Sequence, residues 1–433
     1  MEGIQENGVI TSTKHFIAQE QETHRLSTRD DGPFQEAISS NGGVVSALSG
    51  LDVAMPNGAG KFGSSLVEAV SNGSLPEAQI DNMDTEDFPK PGNGMAQRLW
   101  EPHPIVDART KCSRPTLFDG AVEGHVLVKN EENALPLRSE NMKLISLFGY
   151  STRAPSSNTP VPAANGTRFA SWEMGIQSAN ITEVDLGWFG NLDLPTSDIA
   201  INGTVISAGG SAAPSWSLIS APCDALVAQA YEDGTALYHD FESGDPSINP
   251  NSDVCIVIGN VWATEGYDRP SLRDQYTDML ILNVANKCAN TIVVFHNAGP
   301  RLVDSFIEHP NSDYGDLLKP DYTSRGVPSR FPTYPQSNFA EGAFVDYRGF
   351  DSKKVDLRFE FGFGLSYTSF DYSSLKISKA NGNFVVVEAD VTNNGKVDGK
   401  EVAQLYLGIP GDEYTPLKQL RGFEKQLIKA ADH

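Results

Sequence analysis

Val254-Cys255-Ile256-Val257-Ile258 is a continuous apolar run of strand length, and Trp262-Ala263-Thr264-Glu265-Gly266-Tyr267-Asp268-Arg269 follows it almost at once. A short apolar run without polar alternation reads as a strand buried on both faces, the habit of parallel sheets. The segment behind it carries a lone carboxylate between aromatics, which is how an α/β fold holds an acid over a crevice at the carboxyl end of a strand. Glu265 is therefore the first candidate for chemistry. An exposed glutamate more often serves as a solvated loop carboxylate or as the partner of a nearby arginine such as Arg269, so its position after a buried strand carries the reading.

The flanking sequence repeats the same unit. Leu144 to Phe148 reads as a strand ending in Gly149, Ala221 to Tyr231 as a helix, Leu272 to Cys288 as a helix, Thr291 to Phe295 as a strand, and Arg301 to Ile307 as a helix. That alternation predicts a parallel, doubly wound sheet with ligands at the carboxyl ends of its strands. Upstream, Val9 to Leu137 mixes short apolar segments with helical ones such as Ser64 to Ser71, and reads as fragments of an α/β unit. Ser151 to Ser220 is rich in Pro, Gly, Ser and Asn; its Ala208-Gly209-Gly210-Ser211 turn lacks the Lys of a phosphate cradle. Residues 312–341 contain several prolines and no periodicity, as a linker or extended loop does. Beyond Leu375, the run Phe384 to Val391, the turn Asn393-Asn394-Gly395 and the run Glu401 to Leu407 predict hairpin-type strands of a small β-sandwich.

Composition excludes several classes. The 433 residues are 39% hydrophobic, enough for a sizeable core and for two or three domains. A formal net charge of −23 repels phosphate backbones and anionic lipid, which speaks against nucleic-acid and membrane partners. The apolar runs fall far short of the ~20 residues that a spanning helix needs. Cys112, Cys223, Cys255 and Cys288 are too widely spaced for a zinc knuckle or a redox pair; they read as small buried residues, with room for one disulfide. No spacing implies a metal, nucleotide, flavin or other cofactor. The first residues, Met1-Glu2-Gly3-Ile4-Gln5-Glu6, have neither the basic nor the apolar region of a signal peptide. Sequons at Asn72, Asn165, Asn180 and Asn202 would nonetheless suit a secreted surface, although such tripeptides also make ordinary turns.

Several stretches, taken together and in order, resemble the fungal β-glucosidases of glycoside hydrolase family 3. Lys14-His15-Phe16 with Glu20-Gln21-Glu22 is similar to the family's substrate-binding segment. Gly50-Leu51-Asp52-Val53-Ala54-Met55-Pro56 is similar to its Gly-Leu-Asp barrel segment, and Glu265-Gly266-Tyr267 to its acid/base loop, with Thr264 in place of a glycine. His296-Asn297-Ala298-Gly299 and Phe361-Gly362-Phe363-Gly364-Leu365-Ser366-Tyr367 resemble its second domain and the exit from it. Val391-Thr392-Asn393 and Glu401 to Tyr406 resemble its fibronectin type III-like module.

The resemblance implies a multidomain α/β protein. Residues 1–115 would be a remnant of a TIM-like barrel, 116–368 an α/β sandwich with a mostly parallel sheet, and 369–433 an incomplete fibronectin type III-like β-sandwich. It implies a secreted glycoside hydrolase that removes β-linked glucose from the non-reducing ends of cello-oligosaccharides by a retaining mechanism, in cellulose breakdown. Glu265 inherits the acid/base role, and Lys14 and His15 the contacts to substrate. A retaining site sets two carboxyl groups ~5–5.5 Å apart, one of them a nucleophile. Here the chain departs from the family: Ser39-Ser40-Asn41-Gly42-Gly43 stands where the nucleophile aspartate belongs. Residues 1–115 are well short of the ~250 of a complete barrel. Pro310-Asn311 runs straight into Ser312-Asp313, skipping a strand and a helix, so an internal deletion is expected near 311. Residues 369–433 also fall short of the ~100 of an immunoglobulin-like sandwich. Three readings follow: a β-glucosidase impaired by loss of its nucleophile, a non-catalytic carbohydrate-binding remnant, and a chain that forms no stable fold. Within the family a β-xylosidase stays open, and an N-acetylglucosaminidase is disfavoured.

Overall fold

The computed structural model describes residues 43–51, 62–83, 110–154, 161–162, 168–169, 203–205, 220–261, 272–297, 299, 301, 342–379 and 385–430. Two compact units emerge: Met1–Ile105 with Ser139–Asn338, and Val106–Arg138 with Phe339–His433.

In the first unit three short helices, α1 (Gly43–Leu48), α2 (Ser64–Ser71) and α3 (Glu77–Met83), share a small core. Ala47, Leu66, Ala69 and Leu75 are its buried members, with Phe62, Val70, Ile80 and Met83 packed against them. Helix α2 has the bounds its periodicity predicts, because Leu66 and Ala69 face inward one turn apart while Val67 points to solvent.

The sheet of the same unit has four strands: β1 (Leu144–Phe148), β2 (Ala236–Asp240), β3 (Val254–Val261) and β4 (Thr291–Asn297). Their order is β2-β1-β3-β4, and every neighbouring pair is parallel. All eight residues of β3 are buried, as its unbroken apolar run predicts. Helix α5 (Pro222–Asp233) precedes β2, and helix α6 (Gln275–Ala285) connects β3 to β4. Thr277, Leu280 and Val284 form the buried stripe of α6. Leu280 and Val284 close over Phe148, Cys255 and Val257 from the sheet. Cys255 and Cys288 form a disulfide that ties β3 to the end of α6; Cys112 is exposed and Cys223 half-buried, both as free thiols. Strand β2 was not evident from sequence, since Ala236-Leu237-Tyr238-His239-Asp240 is mixed in polarity, as befits an edge strand. The helix expected over Arg301 to Ile307 lies outside the described residues except for Arg301.

The second unit holds helix α4 (Ser113–Glu123), helix α7 (Tyr347–Lys353) and four strands, β5 (Phe370–Lys379), β6 (Val385–Asn393), β7 (Gly399–Leu407) and β8 (Gln419–Ile428). Strands β6 and β7 exist as the alternation predicts, β5 and β8 were not read from the sequence, and the hairpin does not form between β6 and β7. Instead β5 pairs with β6 and β7 with β8, as two antiparallel ribbons. The reason lies at Asn393, whose buried side chain holds the chain at a corner. Its amide donates to the carbonyls of Val397 (2.9 Å) and Ile428 (3.0 Å), and its oxygen accepts from the Thr368 hydroxyl (2.6 Å) and the Gly395 N–H (2.9 Å). With every side-chain group of the asparagine used across the two ribbons, the segment turns between sheets rather than folding back on itself. Glu123, at the end of α4, forms ion pairs with Lys400 of β7 and Lys425 of β8, the latter at 2.7 Å.

Candidate functional site

The chain leaves β1 towards β2 on one side and then crosses to β3 on the other, so the winding reverses between β1 and β3. The carboxyl ends of those two strands are where open α/β sheets bind ligands. Three features of sequence build this edge. Gly149 ends β1 at φ 93°, and a Cβ there would run into the Ile258 carbonyl, so only glycine lets β1 turn so close to β3. Asn260 and Val261 end β3, buried, immediately before the segment that carries Glu265. His296 ends β4.

A short piece of the long connection after β1 is fastened across this edge. The Thr204 N–H donates to the Arg153 carbonyl at 2.8 Å, and the Asn260 side-chain amide donates to the Gly203 carbonyl at 3.1 Å. His296 Nδ1 lies 2.9 Å from the Ser151 hydroxyl and 3.2 Å from the Thr204 hydroxyl. Both hydroxyl-bearing residues are buried, which keeps them from acting as nucleophiles towards a substrate arriving from solvent.

Beside it runs a buried polar chain. The Asn260 N–H donates to the Tyr150 phenol (3.4 Å), which pairs with the Thr277 hydroxyl at 2.6 Å, and that hydroxyl donates to Asp274. Asp274 is the N-cap of α6 and accepts from the N–H groups of Tyr276 (3.0 Å) and Thr277 (3.3 Å). Arg301 completes the chain, 3.2 Å from Asp274 and 2.7 Å from Asp278, with its guanidinium 4.5 Å from the centre of the Phe295 ring. Burial, aided by the nearby Asp274 charge, raises the Tyr150 phenol above its ordinary value, although the Thr277 hydrogen bond opposes this. Tyr150 therefore stays neutral and serves as a hydrogen-bond relay rather than as a base.

The described edge is built from buried, hydrogen-bonded residues, and in the sequence the segment bearing Glu265 lies between Val261 and Asp274. Glu265, Lys14 and His15 lie outside the described residues, as do Asn165, Asn180 and Asn202. Asn72 is exposed at the end of α2, and its side-chain oxygen accepts from the Ser74 N–H at 3.0 Å. Sequence reasoning missed Tyr150, Thr277, Asp274, Arg301 and the Ser151–His296 contact. The usable signal was a polar residue directly behind an apolar strand, which Tyr150, Asn260 and His296 each provide. Among the described residues no group of three His, Cys, Asp or Glu could hold a metal ion, and no helix is long and apolar enough to cross a membrane.

Residues 125–313, which span the whole sheet, match the glycosyl hydrolase family 3 C-terminal domain. The chain is 34% identical to "Probable beta-glucosidase M" of Aspergillus fumigatus, over 100% of its own length and 69% of the relative's. It is 36% identical to "Beta-glucosidase cel3A" of Pyricularia oryzae, over 98% of this chain and 69% of that one. Among solved structures it resembles the beta-glucosidase D2-BGL of Chaetomella raphigera, with a TM-score of 0.64 and 27% identity, over 90% of this chain. The chain spans 60% of that structure's length. A parallel sheet around a buried central strand, a family model covering it and relatives matched over 69% of their own length converge: the chain belongs to glycosyl hydrolase family 3, among the fungal beta-glucosidases.

Proposed function

We propose that this chain descends from a retaining β-glucosidase acting on β-linked glucose at the ends of cello-oligosaccharides, that Glu265 keeps the acid/base position, and that the nucleophile has been lost. The observation that supports the reading is that the segment 262–271 follows in sequence directly on the buried strand β3, beside which the winding reverses. A general acid can protonate a glycosidic oxygen, a contribution of roughly 10²–10⁴-fold. The missing carboxylate is the other half of the reaction.

Loss of the nucleophile segment is supported by Ser39 to Gly43 in its place, and by an alignment with the Aspergillus fumigatus relative that runs over 570 positions for a chain of 433 residues. The relative thus carries residues inside the matched span that have no counterpart here. Lys14 and His15 are proposed as remaining sugar contacts; 1–115, 116–368 and 369–433 are proposed as barrel remnant, α/β sandwich and partial fibronectin type III-like module. An extracellular setting is supported by the Cys255–Cys288 disulfide, since such bonds persist in oxidising compartments.

The experiment is hydrolysis of p-nitrophenyl β-glucoside by the purified chain, with and without azide, beside Glu265→Gln. The expected result is silence without azide and formation of an α-glucosyl azide with it: azide attacks the anomeric carbon, the glycosidic bond breaks, and the phenolate leaves. With a poorer leaving group such as phenol the product should depend on Glu265, which supplies the proton. Hydrolysis without azide at a rate indifferent to Glu265→Gln would sink the proposal. Glucoside binding without any glycosyl transfer would favour the non-catalytic reading.

A further inference from the structure

Strand β3 and helix α6 are joined at both ends. At one end the Cys255–Cys288 disulfide ties the start of the strand to the residues just past the helix. At the other end the first turn of α6 is seated on the last residues of β3. Gly259 makes room for that seat, because a Cβ there would lie 2.7 Å from the Thr277 methyl group. The Thr277 side chain thus rests its methyl on the strand and gives its hydroxyl to Tyr150 and Asp274.

Counting protons fixes the direction of the chain. Thr277 has one hydroxyl proton and donates it to the Asp274 carboxylate, so the Tyr150 phenol is the donor in its 2.6 Å contact with Thr277. The Asp274 carboxylate, 3.5 Å from the phenol, is the longer of the two acceptors within its reach. The phenol oxygen in turn accepts the Asn260 N–H at 3.4 Å. Donation therefore runs one way, from the end of β3 through Tyr150 and Thr277 to a carboxylate at the start of α6, and each bond polarises the next. Tyr150, Asn260 and Thr277 are at most 2% exposed, so a partner lost here is not readily replaced by solvent.

Asn260 and Asp274 bracket, in sequence, the stretch that holds Glu265. A stretch of chain whose two ends are fixed relative to each other has fewer conformations than one with a loose end. The Tyr150 hydroxyl is the atom in which the bonds from the two ends meet.

We infer that the Tyr150 hydroxyl is a positioning group for Glu265: by bonding the end of β3 to the start of α6, it fixes the spacing of the two residues between which the acid lies in sequence. The inference rests on the acid/base reading of Glu265 proposed above. Tyr150 is buried and exchanges no proton with a substrate. Its effect reaches the reaction only through the place of the acid.

The test uses the full chain with azide and two glucosides: one loses phenol and needs the proton of the acid, the other loses dinitrophenolate and does not. Tyr150→Phe removes one oxygen, keeps the ring beside Tyr276 (centres 5.8 Å apart) and leaves Thr277 its bond to Asp274. It should slow formation of glucosyl azide from the phenyl glucoside, by roughly 10²-fold for a displacement of the acid near 1 Å, and leave the dinitrophenyl glucoside unaffected. A role in folding alone would move both substrates together or neither. Thr277→Val removes the other partner of the same bond and carries the test if Tyr150→Phe does not fold. It should give the same split, and the double variant should lose no more than the worse single one, because both act through one bond. With Glu265→Gln showing the split, a Tyr150→Phe chain that keeps the native rate on the phenyl glucoside, or loses equally on both substrates, overturns the inference alone. A native chain that forms no glucosyl azide, or a Glu265→Gln chain that matches it on the phenyl glucoside, overturns the reading of Glu265 and the positioning role with it.

Discussion

Arg301 and Asp274 meet 3.2 Å apart with side chains only 1% and 6% exposed, so the residue just beyond β4 is locked to the residue that starts α6. Asp274 uses its remaining lone pairs on Thr277 and on the first turn of the helix, which leaves the guanidinium as its main charge partner. Removing one member of such a pair strands the other charge away from water. Arg301→Met should therefore cost about 3–5 kcal/mol of stability, read as a lower midpoint in urea unfolding. An unchanged midpoint would mean that the pair is dispensable.

Gly149 and Ile258 approach so closely that β1 can turn only because Gly149 has no side chain. At φ 93° and ψ 141° the backbone also lies where other residues are strained. Gly149→Ala should cost roughly 1–3 kcal/mol from backbone strain alone, with the clash against the Ile258 carbonyl added. Thermal unfolding beside Gly234→Ala separates the two causes. Gly234 also has positive φ, 68°, but open space around its Cβ position, so it should lose less.

What the sequence made legible follows from burial. Strands β1, β3 and β4 and helices α2, α5 and α6 were readable because one physical demand, removing apolar surface from water, decides their residues. Strand β2 stayed hidden because an edge strand needs no such run, and the β6–β7 pairing was misread because the corner is set by side-chain hydrogen bonds of Asn393 with partners as distant as Ile428. The same limit applies to the polar chain at the carboxyl edge of the sheet. Tyr150, Thr277, Asp274 and Arg301 are unremarkable singly and meet only through long-range packing. A window of neighbouring residues holds no signal for that.

Cys255 and Cys288 are 33 positions apart, so their bond removes a loop from the freedom of the unfolded chain. Replacing both with Ala should cost about 3–4 kcal/mol. The loss should reproduce that seen on adding reductant to the native chain, and reductant should leave the double variant's melting temperature unchanged.

Glu123 sits between Lys400 and Lys425, whose hydrogen bonds hold its carboxyl down at about 2 from the usual 4.5. A folded-state value below the unfolded one contributes stability that is present above pH 4.5 and is lost as pH falls towards 2. Glu123→Gln should flatten that part of the pH–stability curve for the second unit and leave the curve above it with the same shape. High salt should mimic the variant, since all three side chains are partly exposed. A curve for Glu123→Gln that falls as steeply as the native one over this window would assign the acid sensitivity elsewhere.

Asn72 is poised differently from the sequon at Asn202. Its side-chain oxygen accepts from the Ser74 N–H, an Asx turn on the exposed end of α2, whereas Thr204 is only 8% exposed and fastened to Arg153 and His296. On the folded chain a transferase that must engage the hydroxyl of the sequon can reach Ser74 and not Thr204. Expression through a secretory pathway should attach a glycan at Asn72, removable by endoglycosidase and absent from Asn72→Gln. Any glycan at Asn202 should appear only if it is added before the sheet closes over Thr204, so slowing folding in the host should raise its occupancy and leave that of Asn72 unchanged. Equal occupancy of the two sites at every folding rate would refute the distinction.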